Sequence, residues 1–154
     1  MKPVNRLPAL ACLLFGFATA GLAAQSNDRI DELLLQPVAR LDSTAYLVLA
    51  STGQIAESDS PATALEKAKS LGLVSADLGP DSPVQIQDLS FLVMKSLQLN
   101  GGVMFSLFPN SRYAYRELAY TKMIDTSRGP FRTVSGEEVI RVLGVVSEQK
   151  RSAP

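Results

Sequence analysis

The sequence contains no histidine, and its one cysteine, Cys12, lies close to the N-terminus. A Cys/His zinc site and a Ser-His-Asp triad are therefore excluded. A structural disulfide would need a second cysteine, which the chain does not have. An excess of charge of one sign is missing too. Fifteen Lys and Arg balance fifteen Asp and Glu over 154 residues, so nothing points to nucleic acid held by bulk electrostatics. Asp77, Asp81 and Asp88 match no EF-hand spacing and serve equally well as turn or first-turn acids. Glu137 and Glu138 are the best candidates for a catalytic carboxylate pair, but neighbours on a helix point in different directions. No catalytic residue, metal or cofactor is assigned, and the chain is read as a non-enzyme.

What is present begins with a leader. Lys2 and Arg6 precede an uncharged apolar run, Leu7 to Ala24, that ends rich in small residues such as Ala18, Ala20, Gly21, Ala23 and Ala24. This is the pattern of a secretory signal peptide over residues 1–24, with cleavage after Ala20, Ala23 or, preferred, Ala24. Two other readings are weighed against it. Lipidation at Cys12 is disfavoured because Leu10 stands in the wrong place for a lipobox, and an uncleaved anchor would sit near the lower length limit for spanning a bilayer. Cleavage removes Lys2, Arg6 and Cys12, leaving 15 minus 2, or 13, basic residues against 15 acidic and a net charge of −2. The expected location is the periplasm or cell envelope, where a domain without disulfides depends on its core.

The composition, 46% apolar and 19% charged, is that of one globular domain. Hydrophobic periodicity predicts helices along its length. An N-terminal helical segment, 25–40, takes Ser26 or Asn27 as cap and Ile30, Leu33 and Leu34 as its face, ending at Pro37. Asp42 reads as the N-cap of a second helix with Tyr46, Leu49 and Ala50 inward and Gly53 at its end. Ser60 and Pro61 open a third, striped with Ala64, Leu65, Ala68 and Leu71 and closed by Gly72. From Ile86 to Leu97 apolar residues occupy every side, with Asp88 and Lys95 the only charges, so this helix should be buried at the centre. Residues 103–109 read as a short strand or a loop pressed onto the core. Asn110 or Ser111 then caps a helix bearing Tyr113, Ala114, Leu118 and Thr121, and Ser135 with Glu138 forms a capping box before Val139, Val142 and Leu143. Residues 148–154 are expected to be a disordered tail.

Laid on itself with a shift of 50, the chain matches Ala64 to Ala114, Gly79 to Gly129, Pro80 to Pro130 and Val84 to Val134 without a gap. Leu73-Val74 falls on Met123-Ile124 and Asp88 on Glu138. A weaker first copy, Leu41 to Gly53, fits with a shift of 43. Such helix-loop-helix units cannot bury their apolar faces alone and must stack.

These features resemble the S-layer homology (SLH) domain family over roughly residues 41–147. Tyr113-Ala114-Tyr115 stands for the family's tryptophan-alanine-tyrosine helix, Lys122-Met123-Ile124 for its exit, and Pro83 to Asp88 for the start of its second helix. The resemblance implies an all-α fold of tandem helix-loop-helix repeats around the central apolar helix, holding an exported protein to cell-envelope polysaccharide. Where the family carries a threonine-arginine pair that seats an acidic sugar, this chain has Gln85-Ile86, Ser135-Gly136 and, in the first copy, Asp42-Ser43. All three arginines are missing, and a guanidinium's paired hydrogen bonds have no substitute in Ile or Gly.

Two stretches remain as binding candidates. In SRYAYRELAYTK, Arg112, Tyr113 and Arg116 offer flat rings and cations to an acidic polysaccharide or peptidoglycan. The plainer reading is a helix with tyrosines inward and Glu117 balancing Arg116 or Lys122. In residues 103–108, Met104, Phe105 and Phe108 are candidates for docking an envelope protein or a membrane, against the plainer reading that they cover the central helix.

Overall fold

The computed structural model describes residues 27–152. The leader with Cys12 and the Ser26 cap lie outside the described residues. Helix α1 covers 27–34. It is followed by α2 (Leu41–Ser51), α3 (Pro61–Ser70), α4 (Ile86–Ser96), α5 (Val103–Leu107), α6 (Ser111–Tyr120) and α7 (Gly136–Ser152). The described residues form no strand, only isolated antiparallel bridges between Arg40 and Pro83 and between Gln85 and Thr133. The fold is all-α.

Local sequence explains most boundaries. Ser60 Oγ accepts from the Thr63 N–H ahead of Pro61, and Asn110 Oδ1 accepts from the Tyr113 N–H, each satisfying an otherwise free first-turn donor. Four helices end alike. The residue after the C-cap has positive φ, at Gly53, Gly72, Gln98 and Lys122. The next N–H then reaches back to the last turn, as from Leu73 to the Ala68 carbonyl and from Leu99 to the Met94 carbonyl.

Helices α2, α4 and α7 touch one another at the centre, with α3 against α2 and α6 against α4. Just before each central helix the three chain segments close a ring. The Ala39 N–H donates to the Val134 carbonyl (2.8 Å), Val134 to Val84 (3.0 Å) and Val84 to Ala39 (3.0 Å). All three residues are buried. One step on, Leu41 donates to the Ser82 carbonyl, Ile86 to that of Arg132 and Gly136 to that of Gln36. Leu41, Ile86 and Gly136 thus occupy matching places. Helices α3 and α6 start 50 residues apart, as do α4 and α7, whereas α2 and α4 start 45 apart rather than the 43 expected. Helix α4 is apolar on every side, so its side chains fix no register against α2, whereas backbone pairing does.

Of residues 86–97 only Lys95 is exposed, so α4 is the enclosed helix its composition requires. Elsewhere the outcome differs from expectation. The N-cap of α2 is Arg40, not Asp42, and it makes no side-chain cap bond, because the Leu41 and Asp42 N–H groups donate to carbonyls of Ser82 and Pro80 in the neighbouring turn. Leu34 and Leu71 face solvent. Residues 103–107 form a short helix rather than a strand or loop. Helix α7 continues through residues 148–152, where a disordered tail was expected, and Lys150 Nζ donates to the Leu97 carbonyl at the end of α4 (2.6 Å).

Candidate functional site

The polar candidates sit on α6. Arg112 and Arg116 are exposed one turn apart on one face, while Tyr113 is half-buried and packs against the core. Neither arginine forms an ion pair among the described residues, and Glu117 balances neither Arg116 nor Lys122. Tyr120 projects into solvent. The tyrosines therefore divide, with Tyr113 and Tyr115 partly inward and Tyr120 outward, one turn beyond Arg116 on the cationic face.

The apolar candidates also divide. Phe105 is 5% exposed and meets Phe91 of α4 edge-on, with ring centroids 6.4 Å apart. It is a core residue and not a docking residue. An amphipathic turn must commit one side to the core, and Gly101 makes room for this one, since a Cβ there would fall 2.5 Å from the Phe105 ring. Met104 and Phe108 stay exposed, joined by Val103 and Leu107.

Clefts open at both ends of the central helices. One, about 380 Å3, lies between the ends of α4, α6 and α7, lined by Met94, Leu99, Leu118, Met123 and Val146 with Lys150 at its rim. The other, about 220 Å3, is bordered by Leu73, Pro83, Phe91, Asp88 and Ser111. Burial pushes the Asp88 carboxyl above the ordinary aspartate range, partly offset by the Ser111 hydroxyl.

Glu138 is committed elsewhere. Arg132 grips it through both guanidinium ends (2.7 and 2.6 Å), Arg141 adds a third contact, and Arg132 also donates to the Asp125 carbonyl. The Arg132 hydrogen bonds hold Glu138 below the usual carboxylate range, and the same bonds push Arg132 further up. Glu137 is exposed, so the two carboxylates do not converge on one point. No group of three acidic or metal-ligating side chains occurs among the described residues.

Ala39 is not legible in the sequence, because its role lies in its backbone N–H and carbonyl and its side chain carries no signal. Arg132 is equally hidden, since it sits in a turn and meets Glu138 only through the fold of that turn over the start of α7. Comparison with family models, with curated proteins and with solved structures finds no match for this chain.

Proposed function

We propose that the protein is an exported, non-catalytic module of the cell envelope, built from three degenerate SLH-like copies and contacting envelope polysaccharide or peptidoglycan. The observation that supports this reading is the ring of Ala39, Val84 and Val134, in which three chain segments contribute one donor and one acceptor each from matching places. Export rests on the leader pattern in residues 1–24.

In the corrected register the places of the family's threonine-arginine pair are Arg40-Leu41, Gln85-Ile86 and Ser135-Gly136. Leu41 and Ile86 are buried, and Gly136 lies against Leu33. The arginine place of each pair is therefore filled by Leu41, Ile86 or Gly136, and the one guanidinium among the three pairs, that of Arg40 in the preceding place, is paired with Asp42 and Asp81. Saccharide contact falls instead to Arg112 and Arg116, with the half-buried Tyr113 next to Arg112 in the chain. Cation contacts of this kind are screened by salt.

The test is co-sedimentation of the purified protein with lipid-free sacculi and envelope polysaccharide over a range of salt. Binding at low salt that falls when Arg112 and Arg116 are both replaced by Gln supports the reading. Absence of the protein from the pellet at every salt concentration removes its saccharide part.

A further inference from the structure

Helix α5 leaves Val103, Met104, Leu107 and Phe108 at 74, 46, 65 and 60% exposure. These four form one apolar surface because Phe105 anchors the opposite side against Phe91. The charge along this stretch of chain is one-sided. From Leu89 to Arg116 the chain has no acidic residue, and its three cations, Lys95, Arg112 and Arg116, are exposed and form no ion pair among the described residues. Lys95 flanks α5 on its Phe105 and Ser106 side, sharing a shallow cleft with them and Pro109, and Arg112, the second residue of α6, follows four positions past Phe108. Two carboxylates border this face, Glu117 beside Gly102 and Asp88 toward Ser111, and both are half-buried.

We propose that α5 is a membrane-docking wedge: Val103, Met104, Leu107 and Phe108 enter the boundary between headgroups and acyl chains while Lys95, Arg112 and Arg116 meet anionic lipid phosphates. Protein partners fit this surface poorly. A stable protein interface takes about 20–30 residues a side, and four exposed side chains on a single short element fall far short. A bilayer asks for less, because a small apolar insertion and a few juxtaposed cations add as two weak signals on one surface. This extends the envelope reading to a lipid surface and does not depend on saccharide binding.

The experiment is vesicle sedimentation of the full chain with phosphatidylcholine vesicles, with and without phosphatidylglycerol. The wild-type protein should partition onto the anionic vesicles and release as salt rises. Leu107→Asp with Phe108→Asp should weaken partitioning by about tenfold or more, since each contributes apolar area that inserts. Lys95→Gln, Arg112→Gln and Arg116→Gln together should weaken it by a similar factor, on the order of tenfold or more. All these positions are exposed, so circular dichroism should be unchanged. Wild type and variants share an N-terminus, so the double-Asp variant reports the apolar surface of α5 and the triple-Gln variant the cations on α4 and α6. Equal partitioning of wild type and the double-Asp variant overturns the proposal. So does a wild-type dimer that the double-Asp variant dissociates, which would assign the surface to a second copy. The double-Asp variant should pellet with lipid-free sacculi as wild type does, which keeps lipid docking and saccharide binding separable.

Discussion

The carbonyl oxygen of Leu33 occupies the space that a Cβ on Gly136 would need, so α1 and the start of α7 approach each other backbone to backbone. The Gly136 N–H donates to the Gln36 carbonyl in the same contact. No side chain fits there, whatever its helix propensity.

Gly136→Ala should therefore destabilise the protein by about 2–3 kcal/mol, the cost of overpacking a rigid contact. Gly144, in the same helix, has nothing within 4 Å of its would-be Cβ. Gly144→Ala should stabilise by roughly 0.5–1 kcal/mol, because glycine is a poor helix former. Urea midpoints at constant slope measure both, and shifts of the same sign would contradict the packing described.

Gln98 and Lys122 adopt φ of 54° and 59° at helix ends where Gly53 and Gly72 stand in the matching role. A side chain in the left-handed region costs about 1 kcal/mol, part of which glycine returns as unfolded-state entropy. Gln98→Gly and Lys122→Gly should each raise stability by a few tenths to about 1 kcal/mol. Gly72→Ala should lower it by a similar amount, about 1 kcal/mol, although nothing crowds its Cβ. Thermal unfolding of the three variants side by side gives the comparison.

The acidic limb of stability should carry two opposed contributions. Glu138 has a lowered folded pKa from the Arg132 hydrogen bonds. Its contribution is present above the ordinary glutamate value and is lost as pH falls through the lower folded value. Asp88 has a raised one from burial, so the folded state holds its proton longer, and a destabilising contribution grows as pH rises from the ordinary aspartate value through the folded one. Glu138→Gln should cost roughly 2 kcal/mol at neutral pH, shrinking in acid. Asp88→Asn should gain stability at neutral pH and gain nothing in acid. Urea unfolding from about pH 3 to about pH 7 reads both.

Lys150 reaches from the last turns of α7 to the carbonyl of Leu97 at the C-terminal end of α4, where a cation also meets the negative end of the helix dipole. Lys150→Met should lower stability by about 1 kcal/mol. Truncation after Ser147 should cost at least as much and speed amide hydrogen exchange at the end of α4. An unchanged midpoint after truncation would mean that the last turns contribute nothing.

The helices were legible where one side chain carried the instruction. Ser60 with Pro61, Asn110, and Ser135 toward the Glu138 N–H cap as their residue types require, and the unbroken apolar content of α4 marks it as enclosed. What escaped was set by backbone meeting backbone. The α2 boundary is fixed by carbonyls from Ser82 and Pro80, far away along the chain, so a search for a capping side chain settles on Asp42 instead of Arg40. Residues 103–109 are apolar enough to pass as wholly buried, yet only Phe105 reaches the core, because a five-residue helix has one inward direction to offer. The polar end of α7 resembles a loose tail until Leu97 supplies the acceptor for Lys150.

The ring of Ala39, Val84 and Val134 also limits how such a chain can grow. An open stack of repeats presents the same free edge after every unit, so duplication can lengthen it indefinitely. Here the third donor returns to the first segment and every N–H in the circle is used. A fourth segment could enter the circle as donor and acceptor alike only by breaking one of the three bonds. All three N–H groups of the circle are spent within it, so added length is accommodated more easily in the connecting loops and at the chain ends than at this junction.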